Sequence, residues 1–145
     1  QKIEKKSFEP INFPRYKGKF IQKYPMYSSK VIAMKELPDE MPTKEVEIYN
    51  IEQIGSRALS GQKIAQIVIE NIKKVKGDFR QKETKSLWEA FEKNHGIEKF
   101  ILIKLKVSCS SGTYMRSLAH RIGIDAGLPS LAFSIKRTRI NGYKI

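Results

Sequence analysis

The stretch SSGTYMRSLAHRIG, residues 110–123, sets a glycine, a threonine, a tyrosine and an arginine at the head of an apolar helical pattern. Met115, Leu118, Ala119 and Ile122 recur at helical spacing, and the preceding run ILIKLKVSC, residues 101–109, alternates apolar and polar like a half-buried strand. The spacing predicts a strand, a tight turn and a helix, with Gly112 supplying the turn and Thr113 the N-cap. Backbone N–H groups at such a helix start point outward beside Tyr114 and Arg116 and favour an anion. Arg116 is a cation at a positive helix end, so it calls for a compensating carboxylate or phosphate. The plainer alternative is a solvated surface arginine. His120 lies four residues on, on the same face as Arg116.

Three further stretches carry residue types suited to polyanion recognition. In QKYPMYSSK, residues 22–30, Pro25 stiffens a segment holding Tyr24 and Tyr27, followed by Ser28, Ser29 and Lys30. A tyrosine held there can stack on a nucleobase while the hydroxyls and lysine reach phosphates, although a tyrosine beside proline is also common core packing. In IKRTRI, residues 135–140, strand alternation would place Arg137 and Arg139 on one face, as a phosphate-binding stripe or as a solvated face. The basic turn KKVKGDFRQKETK, residues 73–85, is read as solvated, with Arg80 available to an RNA surface.

Several elements must position these groups. The opening QKIEKKSFEPINFP is polar and proline-punctuated, which predicts an irregular arm, and GKFIQKYPMYSSKVI predicts two short strands around Pro25. In EVEIYNIEQIG, Val46, Ile48, Asn50 or Ile51, and Ile54 predict a strand with one irregularity. Ser60 reads as N-cap of a helix carrying Ile64, Ile67, Val68, Ile72 and Val75, with a lysine-rich last turn. A second helix, ETKSLWEAFEKNHG, sets Leu87, Trp88 and Phe91 on one face and stops at Gly96. A last strand is expected in SLAFSIKRTRI. Strands and helices do not alternate strictly, so the expected class is α+β, a mixed and mostly antiparallel sheet with flanking helices.

With 145 residues and no break in composition, the chain is expected to form one domain. Its 28 Lys and Arg against 15 Asp and Glu, a net charge of +13, favour a polyanionic partner such as RNA, DNA or an acidic membrane surface. Excess lysine kept for solubility is the alternative. The single Cys109 cannot form an internal disulfide, and with His95 and His120 it makes no zinc spacing, so no metal and a reducing, cytoplasmic compartment are expected. No apolar run reaches the ~20 residues that span a bilayer, and no signal-peptide pattern opens the chain. Its first residue is Gln1 rather than Met, which leads to the expectation that an upstream segment has been removed or lies outside this numbering. Walker, GxGxxG, HExxH and GxSxG motifs are absent, and Cys109 at a strand end has no base beside it.

Taken in order, QKYPMYSSK, KGDFRQ, VSCSSGTYMRSLAHRIG and SIKRTRI resemble the TruB-type pseudouridine synthases, which isomerise a uridine in the TΨC loop of tRNA. The likeness runs over residues 17–143, and the helix-start motif is its most specific part. RNA-guided archaeal and eukaryotic relatives share the pattern; the bacterial, stand-alone type is preferred. The resemblance implies that Arg116 pairs with the catalytic aspartate and that Tyr114 sits against the target base. It further implies that Tyr27 stacks on the flipped uracil with Lys30 beside it. Ile135, Lys136 and Arg137 match a Leu-Arg-Arg-like strand motif flanking the pocket, with Ile135 replacing the usual leucine. The implied mechanism is cofactor-free: base flipping, assistance or attack by aspartate, detachment and rotation of uracil, and reattachment through C5. Arg116 would keep the carboxylate ionised and Tyr114 would help handle the C5 proton.

Two departures from the family accompany the likeness. The Gly-Thr-Leu-Asp-like motif that bears the aspartate is absent from this sequence, and the segment after Tyr-Ser-x-Lys is shorter than the family's mobile thumb. The expectation is a catalytic domain without its N-terminal Asp-bearing part and without a C-terminal PUA domain. Such a chain would be inactive alone unless completed by the rest of a longer protein or by a separate Asp-bearing chain. The rival reading is a non-catalytic RNA-binding module.

Overall fold

The structure, a computed structural model, describes residues 10–25, 39–77, 80–140 and 143–144. Its chain divides into two compact units, one of Gln1–Glu52 with Val107–Ile145 and one of Gln53–Lys106. The order is a 3-10 turn (Phe13–Tyr16), β1 (Gly18–Lys23), β2 (Thr43–Ser60), α1 (Gly61–Lys73), α2 (Gln81–His95), β3 (Lys99–Cys109), α3 (Met115–Asp125), β4 (Arg139–Ile140) and β5 (Tyr143–Lys144). The α+β class expected from the sequence is the one found, with a three-stranded sheet of order β1-β2-β3.

In the first unit β1 pairs antiparallel with β2, Gly18 opposite Ile48 and Lys23 opposite Thr43. Val46, Ile48 and Ile51 of β2 are almost fully buried, each at 2% exposure or less. Their spacing records a slip of phase between Ile48 and Ile51, the irregularity expected around Asn50. Ile54, expected to continue that face, is instead exposed. Leu118 and Ile122, one turn apart on α3, are buried as their spacing predicts. Phe13 and Tyr16 are buried too, so the polar opening segment ends not as a free arm but as a tight turn inserted into the core. Arg121 stacks over the rings of Tyr16 and Phe20, and Arg15 pairs with Asp125 at 3.4 Å.

In the second unit Ser60 caps α1 as expected, its hydroxyl accepting from the Lys63 N–H at 3.2 Å. Ile64 and Ala65 are buried. α1 packs against α2, and Gly61 permits the close approach: a side chain there would collide with the His95 carbonyl. Trp88, Phe91 and Phe100 form a ring cluster with centroid spacings near 5 Å, 5.1 Å for Trp88–Phe91 and 5.3 Å for Phe91–Phe100. Leu87 is 70% exposed and does not share that cluster's burial, contrary to its expected place on the packed face.

The expected strand over SLAFSIKRTRI is corrected. Residues 131–138 are irregular, and only Arg139–Ile140 is strand, paired with Tyr143–Lys144. Alternation specifies which side chains share a face, but a strand also requires a neighbouring edge to satisfy its backbone. Among the described residues the three-stranded sheet supplies none to this segment.

Candidate functional site

The site begins where β3 ends. The Ser110 N–H donates to the Glu47 carbonyl at 2.8 Å, and the Ser110 hydroxyl accepts from the Glu47 N–H at 2.9 Å, so a side chain completes the last rung against β2. Gly112 then turns the chain at φ +84°, a conformation that disfavours any side chain, and Lys44 donates to the Ser111 carbonyl at 2.9 Å. Thr113 is the N-cap expected from the sequence, but its hydroxyl donates back to the Ser110 carbonyl at 2.8 Å and closes the turn. The N-cap position falls to Tyr114, in extended conformation and without a capping bond from its own side chain.

What holds Tyr114 comes from β1. Alternation along Gly18–Lys23 turns Phe20 and Gln22 inward, and Gln22 is 5% exposed. Its amide nitrogen donates to the Tyr114 carbonyl at 3.1 Å, and its amide oxygen accepts from the Tyr114 N–H at 2.8 Å. Next along the chain, the Lys23 carbonyl accepts from the Ser117 hydroxyl at 3.4 Å. Tyr24 then meets the Tyr114 ring edge-to-face, centroids 5.3 Å apart and planes at 80°. Tyr24 thus serves as a packing partner of Tyr114. Gln22 is not among the residues singled out from the sequence, although a polar residue at the inward phase of a strand is the signal that could have found it.

Arg116 lies on the first turn of α3, exposed, and no carboxylate pairs with it among the described residues. His120 is exposed four residues on, as the helical spacing predicts. A guanidinium at the positive end of a helix is therefore left available to an anion from outside the described residues. Ile135 and Arg137 lie in the irregular segment, both exposed, so they do not line a strand face with Arg139. Among the described residues no hydrogen bond, ion pair or ring contact joins either of them to Tyr114 or Arg116. Tyr27 and Lys30 lie outside the described residues. Among the described residues no group of His, Cys, Asp and Glu is placed to hold a metal ion, and Cys109 is free and half-buried. No described helix is long and apolar enough to cross a membrane.

Comparison with known proteins places relatives beside this geometry. No family model matches the chain, and no solved structure matches it. A tRNA pseudouridine synthase B of Lactobacillus delbrueckii subsp. bulgaricus is 30% identical over 113 residues, 78% of this chain and 36% of that protein. One of Staphylococcus saprophyticus is 26% identical along the whole chain, covering 38% of its own length. One of Thermobifida fusca is 41% identical over 46 residues, 32% of this chain and 16% of the relative. The chain thus spans little more than a third of the length of the curated relatives that it matches most broadly. These curated relatives share the name tRNA pseudouridine synthase B, and it is to such proteins that the chain is similar, at low identity throughout and more closely over short stretches.

Proposed function

We propose that this chain is part of the catalytic domain of a cytoplasmic tRNA pseudouridine synthase, both units belonging to that domain, and that the enzyme it belongs to, once its aspartate is supplied, isomerises a uridine in the TΨC loop. The observation that carries the reading is the head of α3: Tyr114 is held at the N-cap and Arg116 is exposed, without a carboxylate among the described residues. An aspartate beside Arg116 would be kept ionised by the guanidinium and would find its negative charge welcomed by the helix start. That aspartate belongs to a Gly-Thr-Leu-Asp-like motif absent from these 145 residues, so it comes from elsewhere in a longer polypeptide or from a separate chain.

The reaction is an isomerisation. The bond from C1′ to N1 breaks, the uracil turns, a bond from C1′ to C5 forms, the proton on C5 leaves and N1 gains one. Tyr114 stands beside the base, where its phenol can receive or relay the C5 proton. The uridine is first extruded from its stacked loop, with Tyr27 stacking on it and Lys30 near the phosphates. Ile135 and Arg137, exposed in the irregular segment, would flank the bound base.

Because the C5 hydrogen is lost, tRNA carrying tritium at uridine C5 releases label to water as pseudouridine forms. The natural full-length polypeptide is expected to release tritium, and Tyr114→Ala or Tyr27→Ala to abolish release with little loss of tRNA affinity. The absence of the aspartate motif favours a second reading, a non-catalytic RNA-binding module. That reading expects no release, and a loss of roughly 1–3 kcal/mol in binding for each stacking tyrosine removed. Intact mass against the 16.7 kDa of these residues tells whether they belong to a longer polypeptide, in which the aspartate is then to be sought.

A further inference from the structure

Gln22 is the buried polar side chain of the described core, and both ends of its amide are spent on a single residue, Tyr114. Methionine would fill the same volume at that inward position of β1, so packing alone does not call for an amide. The amide adds direction. Donating to the Tyr114 carbonyl and accepting from the Tyr114 N–H, it reproduces a strand neighbour's pair of bonds and fixes the backbone of Tyr114 on both sides of its Cα. The side-chain orientation is self-consistent, since a flipped amide would set oxygen against oxygen and donor against donor. Lys23 and Tyr24 add their own grips on Ser117 and on the Tyr114 ring, so three consecutive residues of one strand end hold the first turn of α3.

We propose that Gln22 is a positioning residue: by holding both backbone groups of Tyr114 it sets the direction in which the phenol leaves the head of α3. It therefore governs the rate of uridine conversion rather than the hold on RNA. This inference rests on the reading of Tyr114 as the group beside the target base. Displacing a reacting group by about 1 Å can cost up to about a hundredfold in rate, whereas a residue that touches no RNA leaves affinity nearly unchanged.

The test uses two variants of the full-length protein, Gln22→Met and Gln22→Glu, read by Tyr114 amide hydrogen exchange and by tritium release at saturating tRNA. Gln22→Met removes both bonds. Gln22→Glu is informative because its protonated carboxyl can donate and accept as the amide does, whereas its ionised form turns a second acceptor toward the Tyr114 carbonyl. Burial raises the pKa of such a carboxyl while the positive helix start and Arg116 pull it down, so the pH of the switch is found by following both readouts across a pH series. The expected result for Gln22→Met is faster Tyr114 exchange and about 10- to 100-fold slower release, with the tRNA Kd within about twofold of wild type. For Gln22→Glu, protection and rate relative to wild type at the same pH are expected to recover together as pH falls.

Unchanged Tyr114 exchange in both variants overturns the clamp. Faster exchange with an unchanged rate overturns the positioning role. Should Gln22→Met fail to fold, the pH-dependent recovery of Gln22→Glu decides alone. A wild-type protein that releases no tritium defeats the proposed activity, and Gln22's effect on rate with it, while Tyr114 exchange, which requires no turnover, still reports on the clamp.

Discussion

At the first turn of α3, Arg116 adds a full positive charge to the positive end of the helix, an arrangement that is unfavourable until an anion arrives. Under the proposed activity, Arg116→Ala is therefore expected to slow pseudouridine formation about 10- to 100-fold, the scale of one charge-assisted hydrogen bond. Arg116→Lys should recover only part of that loss, because an ammonium lacks the planar fork that grips a carboxylate. Single-turnover tritium release measures both, and a wild-type rate and affinity in Arg116→Ala would exclude the ion pair. Tyr16 offers a different residue-scale consequence. Its burial, and next its hydrogen bond to Asp125 and that carboxylate's charge, raise its pKa above 10.0 against the opposing pull of Arg15 and Arg121. The neutral phenol is thus favoured by the fold. Its stabilising contribution is complete below pH 10 and is lost as pH climbs through the raised value. Urea midpoints across that window should fall more steeply for wild type than for Tyr16→Phe.

Elements whose signals are local are legible in the sequence. Ser60, the apolar period of Ile64, Ile67 and Val68, and the stop at Gly96 announce α1 and the end of α2, and each is found where expected. Ser60→Ala should cost about 1 kcal/mol, read as a lowered urea midpoint at unchanged slope, because one N–H of the first helical turn loses its acceptor. Ile48→Ala, in the buried stretch of β2, should cost about 2–5 kcal/mol through lost burial and the cavity left behind. The segment at 131–138 is not legible in the same way, since it alternates like a strand and has no edge to pair with among the described residues. Thr113 misleads for a related reason. It sits where an N-cap is expected, but the turn at Gly112 claims its hydroxyl first.

For the whole molecule the net charge of +13 would govern the RNA association proposed above. Each phosphate neutralised releases counterions, so RNA affinity should fall linearly with salt on logarithmic axes. With about six contacts the loss between 50 and 200 mM salt is about a thousandfold. Filter binding of tRNA over that range measures the slope, and a flat dependence would remove the phosphate contacts from the account. This prediction holds for the enzyme and for the binding module alike. Tritium release, not salt, separates the two.

The sequence by itself determined the strand, turn and helix around Gly112, the capped helix after Ser60, the basic character and the likeness to pseudouridine synthases. The first three follow from spacing, turn chemistry and composition over short distances along the chain, whereas the likeness is a resemblance carried by a few quoted motifs. Only the tertiary structure decided that Gln22 meets Tyr114 across 92 residues, that Phe13 and Tyr16 enter the core, and that Ile135 and Arg137 lie outside a strand. Those outcomes depend on which distant groups satisfy a buried amide, cover a ring or pair a backbone edge, and a one-dimensional pattern does not carry the identity of the partner.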